Sequence, residues 1–362
     1  MVQQVNSNNL KYQQLDKLFT TLSDEQKFNG NIMILEAGEV IYKGTFGYAE
    51  LDKSKKLTYE TVFELASVSK LFTALGIMIL KEQGKLDYND MVETILPELP
   101  YKGISIRNLL SHTSGLPDYI ELFAQCWDRS KIATNQDVIE QLNIHKPAEH
   151  FKPNEKYEYS NTGYVLLAMI IEQVSGISFA NFLNKYIFKP LDMESTRIFN
   201  RRFSLEVIDD YAYGYVYSEI LGKYSLPDVL QEHDFVNYLD GIQGDGVVNS
   251  TLDDLRKLDR ALYTEKLVSK GTLKEAFSPV ILSDNNTYDY GFGWQIRNNP
   301  ETGKIVYHGG SWPGYRTWFS RYIDNDKTII YLTNVERERE WTQTLIEVVE
   351  NILFDRPYQI PE

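Results

Sequence analysis

The chain has 362 residues, room for one large or two ordinary domains, with 43% hydrophobic and 24% charged residues. A net charge of −14 argues against a partner that is nucleic acid or an anionic membrane surface. One cysteine, Cys126, leaves no internal disulfide framework, and the polar stretch Met1 to Leu10 lacks the apolar core of a signal peptide. No run of about 18 apolar residues occurs, so no membrane span is expected and a cytoplasmic location is. The five histidines form no metal-binding spacing, and no phosphate-cradling glycine loop is present, so neither metal nor cofactor is expected.

In chain order, Leu15, Leu18, Phe19 and Leu22 recur at helical spacing. Asn31 to Leu35 and Val40 to Tyr48 read as strands of a hairpin, and Val62 to Leu65 as a short extended segment. Leu71 to Gln83 is apolar almost all round and predicts a central buried helix ended by Gly84. From about Asp87 to Ser269 the pattern is mostly helical. It includes the apolar segment Gly163 to Val174 and a helix start at Thr251, with Asp254 three positions on. The tyrosines at 211, 213, 215 and 217 alternate as one face of a strand would. Strand character returns over Tyr290 to Ile296, Lys304 to His308, Thr317 to Tyr322 and Thr328 to Leu332. Trp341, Leu345, Val348, Val349 and Ile352 line a closing helix.

Strands at both ends with helices between predict an α+β fold, an α/β sandwich with one antiparallel sheet built from both termini. The expected division is residues 9–70 plus 275–358 for the sheet domain and 71–274 for a mostly helical insertion, with the active site at their junction.

Chemistry concentrates at Ser67-Val68-Ser69-Lys70. Three positions apart on a helix, Ser67 and Lys70 share a face, about 5–6 Å apart at Cβ, so an amine lies within reach of a hydroxyl proton. A helix start would add a positive field. Alone the motif is cheap. Three segments accompany it: Tyr159-Ser160-Asn161, His308-Gly309-Gly310-Ser311 followed by Trp312-Pro313-Gly314-Tyr315, and Ser111-His112-Thr113-Ser114-Gly115-Leu116-Pro117.

With Gly244-Asp245-Gly246 and Tyr290-Gly291-Phe292-Gly293-Trp294, these segments make the chain resemble the serine β-lactamase and penicillin-binding-protein superfamily over roughly residues 15 to 335. The resemblance is to its class C β-lactamase-like branch, which also holds DD-peptidases, D-aminopeptidases and esterases. It implies Ser67 as acylated nucleophile, Lys70 as base, and Tyr159 as proton relay with its phenolate favoured by Lys70. It further implies Asn161, His308 and Gly310 beside the substrate, and the Ser67 and Ser311 backbone N–H groups as oxyanion hole. Trp312 and Tyr315 are pocket candidates by position, whereas His112, in a tight turn, reads as structural.

Two features depart from the family pattern. Many lactam-recognising relatives place lysine where His308 stands, and a mostly neutral histidine is a poor partner for a substrate carboxylate. Asp245 replaces a small apolar residue. The expected function is therefore a serine hydrolase of small-molecule or peptide esters or amides: a carboxylesterase, D-amino-acid peptidase or β-lactam hydrolase. The rival is a slowly deacylating penicillin-binding sensor, or an idle scaffold. The sequence leaves the oligomeric state open.

Overall fold

The computed structural model describes residues 2–361, with side chains from residue 9 onward. Alternation along the strands assigns successive side chains to two cores. Helix α1 (Val2–Asp24) leads into β1 (Gly30–Glu36) and β2 (Glu39–Phe46). Their connection, Ala37-Gly38, has φ of +52° and +80°, the left-handed pair that a tight two-residue hairpin turn requires. The remaining strands lie near the other end of the chain: β3 (Gln295–Asn299), β4 (Gly303–Trp312), β5 (Tyr315–Tyr322) and β6 (Lys327–Thr333). All pair antiparallel in the order β3-β4-β5-β6-β1-β2.

On one face Ile32, Ile34, Ile305, Ile329 and Tyr331 pack against α1 and the closing helix α5 (Arg339–Leu353). On the other, Met33, Leu35, Val306, Ile330 and Leu332 join a larger core with α2 (Lys70–Glu82) and α3 (Asn161–Ser175). Helices α2 and α3 approach closely at Gly76, where an added Cβ would lie 2.7 Å from Ile171 Cδ1. The expected sandwich, with a sheet from both chain ends, is the observed one. Among the described residues no single helix is long and apolar enough to cross a membrane.

The interior of the chain is less helical than its pattern suggests. Residues 197–250 are mainly loops and turns, broken by short strands such as Val216–Ser218, Lys223–Ser225 and Val248–Ser250, 3-10 turns and one helical turn, Phe235–Tyr238. The alternating tyrosines do not form one strand face. Tyr211 and Tyr215 are buried and make isolated bridges to Val62 and Val335, while Tyr217 stands exposed on a hairpin. Gly214 breaks the run: Tyr315 packs against it, 2.5 Å from where a Cβ would stand.

Helix α4 (Leu252–Ala261) starts as its sequence predicts, with the Thr251 side chain accepting from the Asp254 N–H at 3.3 Å. Thr251→Ala should cost about 1 kcal/mol, the usual loss of an N-cap. The urea midpoint should fall with an unchanged denaturant slope.

One detail of the sheet positions the site. Pairing of β3 with β4 ends at Gln295 opposite Tyr307, whereas β4 runs on to Trp312. Residues His308 to Trp312 therefore pair with β5 alone and leave one strand edge open beside the start of α2.

Candidate active site

Ser67 sits in a 3-10 turn, Ala66–Ser69, that runs directly into α2. A helix of three residues per turn eclipses positions i and i+3, so it aligns Ser67 over Lys70 better than the expected α-helical start would. The turn begins at Ala66 with φ +49°, a left-handed conformation that a non-glycine residue holds only when its surroundings impose it. Those surroundings are explicit. The Leu65 carbonyl accepts from Thr317 Oγ1 on β5 at 2.7 Å, the Leu65 N–H donates to the Val248 carbonyl at 2.9 Å, and Ser69 Oγ accepts from the Val248 N–H at 3.0 Å.

Lys70 is fully buried, and its Nζ has three oxygen neighbours: Ser67 Oγ at 3.2 Å, Asn161 Oδ1 at 2.9 Å and the Asp245 backbone carbonyl at 2.7 Å. Burial lowers its pKa to about 8, against the opposing pull of the Asp245 and Asp118 carboxylates. Asn161, the first residue of α3, is oriented by its amide nitrogen, which donates to Asp118 Oδ2 at 3.4 Å. Asp118 in turn caps the helix Tyr119–Cys126, accepting from the Ile120 N–H at 2.7 Å.

Asp245, unexplained by the sequence, has a double role. Its carbonyl holds Lys70 and its carboxylate accepts from Tyr119 Oη at 3.0 Å. Desolvation first, offset in part by Lys70, raises the pKa of that carboxyl.

The Tyr159 ring centre lies 4.9 Å from Lys70 Nζ, and its buried hydroxyl meets no partner in hydrogen-bonding geometry. Ser67 is near enough to favour the phenolate, but burial outweighs it and the phenol is raised well above its ordinary value. Burial thus favours the neutral phenol, against the phenolate that the family resemblance implies.

His308 is buried, and its Nδ1 lies 2.7 Å from the Gly309 carbonyl and its Nε2 3.1 Å from Tyr290 Oη. Burial first, then Lys70, lowers its pKa to about 3, so it carries no charge near neutrality. Gly310 has a steric reason to be glycine: a Cβ would fall 2.3 Å from the Leu65 carbonyl oxygen and 2.1 Å from Thr317 Oγ1.

A cavity of about 1080 Å³ opens over these groups and is lined by Ser67, Tyr159, Asn161, Asp245 and the edge from His308 to Trp312. Trp312 packs edge-on to Phe235 at 5.3 Å between ring centres, and the exposed Ser311 accepts from Arg316. Tyr315 is not in the cavity. It is 3% exposed: although it pairs with Trp312 across the hairpin, its ring packs on Gly214 and its hydroxyl donates to the Ala212 carbonyl at 2.8 Å. Sequence reasoning missed Asp118 and Tyr290, and also Arg339, which lines the cavity. Tyr290 stood in a quoted motif, Asp118 follows the Leu-Pro of another, and Arg339 carries no local signal.

Residues 15–349 match the family model described as Beta-lactamase. The chain belongs to the beta-lactamase family. Within that family it is 51% identical over 352 residues to Penicillin-binding protein 4* of Bacillus subtilis, covering 97% of this chain and 78% of that protein. Its fold is similar to that of the octameric penicillin-binding protein homologue from Pyrococcus abyssi, with TM-score 0.79, 27% identity and coverage of 95% and 77%. It is also similar in fold to the D-amino acid amidase from Ochrobactrum anthropi, with TM-score 0.76, 23% identity and coverage of 97% and 99%. The Ser67, Tyr159 and His308 segments all fall inside the matched beta-lactamase region.

Proposed function

We propose that this protein is a serine hydrolase in which Ser67 takes the acyl group of an ester or amide and then yields it to water. One observation carries the reading. Two of the three oxygens around Lys70 Nζ, Asn161 Oδ1 and the Asp245 carbonyl, are acceptors only and take up two N–H bonds. A neutral Lys70 therefore turns its lone pair toward the third, the Ser67 hydroxyl.

As the bond from Ser67 Oγ to the substrate carbonyl carbon forms, the Ser67 proton passes to Lys70. The carbonyl oxygen takes the displaced electron pair and is met by the backbone N–H groups of Ser67 and Ser311. One such donor contributes about 3–4 kcal/mol where it has been removed from other hydrolases. Tyr159, a neutral phenol beside Lys70, donates its proton to the departing group and is reprotonated from the Lys70 ammonium. Water then repeats the sequence on the acyl-serine with Lys70 again as base.

The relative named as a penicillin-binding protein favours a slower variant of the same chemistry. A neutral Tyr159 leaves Lys70 alone to activate the deacylating water, which suits a long-lived penicilloyl adduct. Arg339 lines the cavity and has no ion-pair partner among the described residues, so it can face a penicillin carboxylate where neutral His308 cannot.

Intact-mass analysis after exposure to a fluorophosphonate and, separately, to a penicillin tests both readings. One adduct per chain, mapped by digestion to Ser67, is expected from the fluorophosphonate. No adduct from either reagent would remove the hydrolase reading. A penicilloyl adduct that outlasts turnover of p-nitrophenyl esters and D-amino-acid amides would favour the sensor.

A further inference from the structure

Two histidines from distant segments meet on a single tyrosine hydroxyl beneath the cavity. His112 Nε2 is 3.0 Å from Tyr290 Oη, and His308 Nε2 is 3.1 Å from the same oxygen. The outer nitrogen of each ring contacts the backbone. His112 Nδ1 accepts from the Ser160 N–H at 3.1 Å, and His308 Nδ1 faces the Gly309 carbonyl at 2.7 Å.

These backbone partners fix every proton. An N–H can only donate, so His112 Nδ1 is bare and its proton sits on Nε2. A carbonyl can only accept, so His308 Nδ1 carries the proton and Nε2 is bare. One arrangement results: Ser160 N–H to His112, His112 Nε2–H to Tyr290 Oη, Tyr290 O–H to His308 Nε2, and His308 Nδ1–H to Gly309. Protonating His112 would break its bond from Ser160, and protonating His308 would set two donors against the one tyrosine hydroxyl.

The chain joins two of the motifs around Ser67. Ser160 follows Tyr159, whose ring lies 4.3 Å from the His112 ring, and Gly309 lies on the open strand edge. The charged and titratable groups facing the two rings are Lys70, Tyr157, Tyr159, Tyr164 and Tyr290, with each histidine facing the other. Tyr164 gives its own hydroxyl proton to the Leu110 carbonyl at 2.8 Å, so it donates to neither histidine, and its oxygen is a second acceptor near Tyr290 Oη.

We propose that His112, Tyr290 and His308 form a neutral hydrogen-bond chain of fixed direction that sets the Tyr159 ring and the Gly309–Ser311 edge against Ser67. All three are positioning residues, and His308 acts through the chain without supplying charge to substrate. This rests on the hydrolase reading of Ser67 only for its kinetic consequence; the tautomers stand independently of it.

The test is ¹⁵N NMR of histidine-labelled protein together with Tyr290→Phe kinetics. Wild type should show His112 protonated at Nε2 and His308 at Nδ1, both unchanged from about pH 8 to about pH 5, where a free histidine titrates. Tyr290→Phe should let at least one of the two titrate in that range. Its kcat on an activated ester should drop roughly 10- to 100-fold with KM nearly unchanged, as misplacement of reacting groups predicts. The opposite tautomer on either ring in wild type, or wild-type kcat in a folded Tyr290→Phe, would overturn the proposal. If Tyr290→Phe does not fold, the wild-type tautomers decide. Wild-type protein that resists Ser67 acylation while showing the predicted tautomers would count against the hydrolase reading alone.

Discussion

Lys70→Met is expected to reduce turnover by about 10²–10⁴-fold, the usual contribution of a positioned general base, while the protein stays folded. Methionine fills the buried space of the lysine stem without its amine, so the loss reports proton transfer and not a cavity. The pH profile separates this from a packing effect. Lys70 acts only when neutral, and its pKa lies at about 8. Wild-type kcat/KM should therefore climb as pH rises through about 8, and the residual activity of Lys70→Met should lack that step. The same shift couples to stability. Between about pH 8 and the ordinary lysine value near 10.4 the unfolded chain binds a proton that the native protein does not, so native stability should rise with pH across that window. Urea midpoints measured across the window should show the rise in wild type and lose it in Lys70→Met. Full turnover in Lys70→Met would end the assignment of Lys70 as base.

The arrangement around Lys70 explains why the groups that surround the Ser67–Lys70 pair come from such distant positions. Burying an amine is costly unless its protons find acceptors. Here they do so on two other segments, Asn161 at the start of α3 and Asp245 in the loop after residue 240. The close packing of α2 on α3 at Gly76 holds Asn161 in register with Lys70, and Thr73 Oγ1, donating to the Gly244 carbonyl at 2.6 Å, ties the Asp245 loop to α2. Asp118 then orients Asn161 from behind, so its carboxylate acts on Lys70 both through Asn161 and through its field.

What could be seen in the sequence was local. The apolar period of Leu71 to Gln83, the hairpin at Ala37-Gly38 and the Thr251 cap each depend on neighbours a few residues away, and each appears where the pattern placed it. The Ser67–Lys70 pair was legible for the same reason. Tyr315 was misplaced because sequence proximity to Trp312 says nothing about which distant segment covers a ring; here Gly214 and Ala212, about a hundred residues away, receive it. Residues 197–250 departed from the helical pattern for a related reason, since their backbone pairs across long separations, Arg197 with Asn249, Tyr211 with Val62 and Tyr215 with Val335. Asp245 and His308 were noticed as departures, but the partners that explain them, Lys70, Tyr119 and Tyr290, lie on other segments.

Gly310→Ala should be far more damaging than Gly309→Ala, although the two glycines are adjacent on the same open strand. A Cβ at 310 would press 2.3 Å from the Leu65 carbonyl oxygen and 2.1 Å from Thr317 Oγ1, both already engaged with each other in the bond that holds the Ser67 turn. Neither atom can withdraw without breaking that bond and moving Ala66, whose left-handed φ leaves little freedom. At 309 the nearest atom would be Trp318 Cε3 at 3.2 Å, on a side chain that can tilt. Overpacking at 310 should cost about 1–3 kcal/mol of stability. Parting Ser67 from Ser311 should remove one oxyanion donor, roughly 10²–10³-fold in the acylation rate. Gly309→Ala should stay within about threefold of wild type, since displacing a tilting ring stores little strain. Stopped-flow acylation by an activated ester, with urea unfolding of both variants, reads the difference. Equal rates for the two variants would mean that the approach of β4 to the Ser67 turn does not set the geometry of the attack.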